Sequence, residues 1–114
     1  MILCKPIGQR LTVLFLSLFV FSIVNISAQD AAAGKAIFTS KCAACHNIFK
    51  KMTGPALMGL EERGKWADHK ELLAWINNPA AYMAKDPYTQ GLKAEYGSMM
   101  TGFADVTLAD VSNV

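Results

Sequence analysis

The sequence predicts a small all-α domain. Three observations carry that expectation. Beyond residue 28, no stretch alternates apolar and polar residues with the period of two that marks a strand. Residues recur at helical spacing instead, at Gly34, Ile37, Phe38 and Lys41 and again at Leu72, Leu73, Trp75 and Ile76. Both segments are framed by residues that start or stop helices, Asp30 before the first and Asn78-Pro79 after the second.

The elements follow in order. Residues 1–28 read as a secretory signal peptide. Lys5 and Arg10 stand at the start without an acid, Leu11 to Val24 is apolar, and Ser27-Ala28 offers a small-residue exit. The apolar run of 14 residues is shorter than the roughly 20 that span a bilayer. An uncleaved anchor is the alternative, and the only membrane contact expected. Cys4 precedes the apolar run, whereas a lipid-bearing cysteine would follow it, so Cys4 belongs to the targeting segment. Residues 29–114 form the one domain.

That domain opens with a helix over 31–42, capped by Asp30. Gly34 inside it costs about 1 kcal/mol, which points to close approach of another helix. Asn47 to Gly64 reads as loop, broken by Gly54-Pro55 and Gly59. A second helix over 67–78 ends at Asn78-Pro79. A short helix follows at 80–84. Asp86-Pro87 through Gly97 reads as irregular. Thr107 with Asp110 three residues later is a capping box that opens a last helix. With only Leu108 to Val114 left, that helix spans about two turns and reads as truncated.

Charge narrows the class. The eleven lysines and arginines include two in the leader, and the other nine match nine acids, so residues 29–114 are formally neutral. There is no basic block and no aromatic-basic interleaving, which excludes a nucleic-acid partner. A domain this size buries only about 60–65% of its unfolded surface. Small exported domains compensate with disulfides, metals or cofactors. Setting Cys4 aside leaves two cysteines, one disulfide at most.

Those two stand in CAACH, Cys42 to His46. Cys-x-x-Cys-His is the attachment sequence for c-type haem. Two thiols at this spacing reach the two vinyl groups on one porphyrin edge, and the next histidine falls beneath the iron. The alternatives are a disulfide or thioredoxin-like pair, and a zinc site. A thioredoxin pair follows a strand within a βαβ unit, and no strand is read here. A zinc site would need His69 or a carboxylate as fourth ligand beside Cys42, Cys45 and His46.

GKAIFTSKCAACH, TGPAL (Thr53 to Leu57) and MMTGF (Met99 to Phe103) together resemble the class I cytochrome c family over nearly the whole of residues 29–114. The resemblance implies a cytochrome c-like helical domain wrapped around one covalently bound haem c with its iron. It implies that the Pro55 carbonyl accepts the His46 N–H. Met100 would be the second axial ligand of the iron, with Met99 the runner-up. Arg63 and Trp66 look like the family residues that approach a haem propionate. The family's last helix runs further than this one.

The function so implied is one-electron transfer outside the cytoplasmic membrane, in the periplasm or another exported location, by a carrier rather than an enzyme. Redox partner proteins would dock transiently at the haem edge, with Lys50 and Lys51 either steering them or simply solvated. The alternative is a cytochrome c domain of a larger membrane-bound oxidase or dehydrogenase. His69 reads as a polar first-turn residue, Trp75 as a core aromatic, and Tyr82, Tyr88 and Tyr96 as lining or covering the distal side.

Overall fold

The computed structural model describes residues 29–114; the leader and anchor readings lie outside them. No strand occurs among the described residues. None of their helices is long and apolar enough to cross a membrane.

Helix α1 (Ala31–Ile37) starts where Asp30 accepts hydrogen bonds from the amides of Ala32 and Ala33, each at 3.0 Å. It then widens into a π-helical turn, Phe38–Cys42, closed by Ala43 N–H donating to Phe38 O at 2.8 Å. Thr39 and Ser40 donate their hydroxyls back to the carbonyls of Lys35 and Ile37. Such turns are rare and cluster at functional sites; this one delivers Cys42.

A loop with a single 3₁₀ turn, Leu60–Glu62, leads to α2 (His69–Asn77), whose cap Asp68 accepts from the Lys70 amide at 2.9 Å. Helix α3 (Pro79–Met83) begins at once, with Asn78 as cap and Pro79 in the first turn. Proline fits there because its missing N–H would have no helical partner.

The stretch expected to be irregular is a helix, α4 (Pro87–Tyr96). Its apolar residues make no clear stripe, and Gly91 weakens its interior. Its ends form it instead. Asp86, only 6% exposed, accepts from the Thr89 amide at 2.9 Å, and Pro87 sets the first turn. Gly97 closes the helix at φ +66°, a left-handed conformation that suits glycine. Helix α5 (Leu108–Asn113) carries the full capping box: Thr107 accepts from the Asp110 amide, and Asp110 accepts from the Thr107 amide at 2.8 Å.

Helix α5 packs on both α1 and α2, α2 on α3, and α3 on α4. The core between them holds Trp66, Leu72, Trp75, Tyr82, Val106 and Val111. Gly34 makes the α1–α5 contact possible, since a Cβ there would lie 1.8 Å from the Asn113 carbonyl oxygen. The Asp30 amide also donates to Asn113 Oδ1 at 2.9 Å. The close approach expected at Gly34 is thus to the last helix.

Candidate functional site

The π-helical turn ends at Cys42, whose carbonyl accepts from both the Cys45 and His46 amides, at 3.1 and 2.9 Å. This doubles the chain back so that Cys42, Cys45 and His46 line one cavity of about 260 Å³. Both cysteines are free thiols, Cys42 half-buried and Cys45 exposed. Burial pushes the Cys42 thiol above its ordinary pKa, and the charge of neighbouring Lys41 partly offsets this.

The His46 ring is held from two directions. Nδ1 lies 2.9 Å from Pro55 O. A carbonyl only accepts, so Nδ1 carries the hydrogen. In the neutral ring Nε2 then keeps its lone pair for a metal. Gly54 lies against the same ring: a Cβ there would meet His46 Cε1 at 2.5 Å. The Gly54 amide donates to Cys45 O at 2.9 Å, which brings this loop back under the histidine.

Met99 and Met100 line the cavity, Met99 at 40% exposure and Met100 part-buried against the core. Trp75, Leu92, Tyr96 and Phe103 add apolar wall. Lys51 ties the end of α4 to the loop after His46: its Nζ donates to Glu95 Oε1 at 2.8 Å and lies 4.2 Å from the Tyr96 ring centre. Lys51 is thus solvent-exposed and paired within the molecule.

Arg63 and Trp66 do not line this cavity. The Arg63 guanidinium donates to the carbonyl of Ala56 at 2.6 Å and to those of Met58 and Gly59. Trp66, 2% exposed, is the hub of an aromatic cluster, 6.2 Å from Trp75, 5.7 Å from Tyr82 and 5.8 Å from Tyr88. Tyr82 donates to Glu71 Oε2 at 2.7 Å, and burial chiefly, then that bond, holds its hydroxyl far above the ordinary tyrosine range. Of the three tyrosines read as lining or covering, only Tyr96 lines the cavity. His69 opens α2 and bridges Glu61 (2.8 Å) to Ser112 of α5 (3.2 Å), away from the cavity.

Trp75, Gly54 and Leu92 are wall residues that escaped sequence reading. Trp75 carries the signature of a core residue, and it is one, with a second face on the cavity. Gly54 read only as a breaker. Its role depends on which ring it meets, and no local signal reports that.

The donor set fits a c-type haem: two thiols, an imidazole and two thioethers line one largely apolar cavity. Comparisons agree. The family model described as Cytochrome c matches residues 31–114. A cytochrome c6 from Rippkaea orientalis is 46% identical over 52 residues, 42% of this chain and 47% of that protein. A cytochrome c2 from Rhodopseudomonas palustris is 52% identical over 42 residues, 37% of this chain and 30% of that protein. These matches span less than half the length of either relative. Among solved structures, a cytochrome c from Rhodothermus marinus superposes with TM-score 0.61 at 25% identity, covering 81% of this chain and 79% of that one.

Proposed function

The chain belongs to the cytochrome c family, which binds haem c covalently through its iron-bearing porphyrin, and from that premise we propose that it is a one-electron carrier with His46 and Met100 as axial ligands. The observation that carries the reading is the single cavity on which Cys42, Cys45, His46 and Met100 converge. Bound there, haem supplies reversible one-electron oxidation of its iron.

The chain's own residues do the rest. Cys42 and Cys45 would hold the porphyrin as thioethers. Pro55 fixes the tautomer and tilt of His46 and strengthens it as a ligand. A methionine thioether as the second ligand would favour reduced iron and raise the potential above that given by two imidazoles. Met100 suits this role better than Met99 because it is the more buried and packs on the core. With His46 and Met100 both holding the iron, no ligand place would be left for a substrate, and the protein would carry electrons rather than catalyse a reaction. Trp75, Leu92 and Phe103 exclude water, which disfavours the extra charge of the oxidised state.

Residues 1–28 support export, so the carrier works on the outer side of the cytoplasmic membrane. Redox partner proteins dock transiently at the haem edge. The loop that follows His46 exposes Phe49 (76%) and Met58 (60%), with Ile48 and Met52 also open, an apolar surface of the kind that marks interaction sites.

The test is substitution of each methionine in the haem-loaded protein. Met100→Ala is expected to abolish the sulfur-to-iron charge-transfer absorption, and Met99→Ala to leave it. The reverse result would move the ligand to Met99, and its absence in the unaltered protein would refute thioether ligation.

A further inference from the structure

We propose that Asn77 is the positioning residue for the distal ligand, holding the loop after Met100 against the end of α2. This inference rests on the reading of Met100 as an axial ligand. Asn77 closes α2, and its side chain leaves the helix to reach a segment 26 and 29 residues further along. Nδ2 donates to Phe103 O at 2.8 Å and to Val106 O at 3.1 Å. A carboxamide nitrogen has two hydrogens, and both are used. The neighbouring residue adds a third bond, Phe103 N–H donating to Ile76 O at 2.9 Å.

The contact is close as well as bonded. A Cβ on Gly102 would lie 2.8 Å from Asn77 O and 3.1 Å from Pro79 Cδ. Glycine at 102 therefore lets the loop rest on the helix end. Met100 stands two residues before it, on the same cavity as Trp75 of α2. Three hydrogen bonds and one steric seat thus leave the methionine little freedom to swing away.

A second clamp works from the other wall. Lys41 donates to Asp105 Oδ2 at 2.6 Å and lies 5.6 Å from the Phe103 ring centre. Asp105 is 71% exposed, and exposed pairs of this kind contribute little and are screened by salt. Asn77 is half-buried, and its loss would take the side-chain donor from Val106 O and leave Phe103 O with the Val106 amide alone, at 3.2 Å. Asn77 is the stronger clamp of the two.

Exogenous imidazole competes for the distal position, and its apparent affinity scales with the fraction of molecules whose methionine has let go. Asn77→Ser removes both N–H donors and leaves only a hydroxyl on a shorter stem, and Asn77→Asp turns a carboxylate toward two carbonyls. Both haem-loaded variants are expected to bind imidazole about tenfold more tightly or better, the scale of losing two net hydrogen bonds. Amide hydrogen exchange at Gly102 to Val106 is expected to rise in both, while α1 keeps its protection. Val111→Ala, which loosens the core elsewhere, serves as the stability control. Unchanged imidazole affinity and loop exchange in the Asn77 variants would overturn the proposal. So would an equal rise in Val111→Ala at matched Tm, since Asn77 would then be merely structural. Absence of the sulfur-to-iron absorption in the unaltered protein would instead overturn the ligand reading beneath it.

Discussion

At the scale of single residues, the orientation of His46 depends on an atom that is missing. Gly54 leaves space that a methyl group would take from the imidazole, 2.5 Å from Cε1. Gly54→Ala is therefore expected to push the ring off Pro55 O and lower the haem-loaded fraction of purified protein. A pyridine haemochrome assay per polypeptide reads that fraction, and unchanged loading would show that the ring has room to give. The chemistry of Cys42, Cys45 and His46 was legible because the three are neighbours in sequence and their spacing matches one flat group. Pro55 and Met100 came only from resemblance, since nothing local links residues so far apart. Gly54 and Asn77 were illegible for a physical reason. Each acts through what the folded chain brings against it, and Asn77 lay unremarked inside the helix that Asn78-Pro79 ends.

Among the elements, ends matter more than interiors. No described α-helix exceeds ten residues, below the roughly 12–15 at which isolated helices begin to hold in water. Caps and packing must make up the difference. The capping box of α5 was readable because Thr107 and Asp110 sit three apart. Helix α4 was not, because its stripe is weak and its start signal, Asp86-Pro87, equally suits a turn. Charge enters through these caps. The Thr107 amide, then its hydroxyl, hold the Asp110 carboxyl below its ordinary pKa. A depressed value means the charged form is favoured by folding. Its stabilisation is full above the ordinary value and disappears as pH falls through the folded-state value. The unaltered protein is expected to melt higher than Asp110→Asn at pH 6. The gap should close below about pH 4. Thermal melts of both proteins across that range check it, and a constant gap would mean the carboxylate charge is not what caps the helix.

For the whole molecule, the joint between α1 and α5 governs stability. Gly34→Ala sets a methyl against backbone, the Asn113 carbonyl, which has no rotamer to escape into. The helices must part, at a cost of about 1–3 kcal/mol. A domain of this size loses roughly 4–8 °C in Tm per kcal/mol, so a clear drop in a thermal melt is expected. An unchanged Tm would show the joint to be slack. The same joint also reaches the site. Asp30 and Asn113 are 83 positions apart, so one contact ties the two ends of the described chain together. Helix α1 is too short to persist unaided, and it runs straight through the π-helical turn into Cys42. Whatever loosens the hold of α5 on α1 therefore also frees the segment that carries the thiols, and the far end of the chain keeps watch over CAACH.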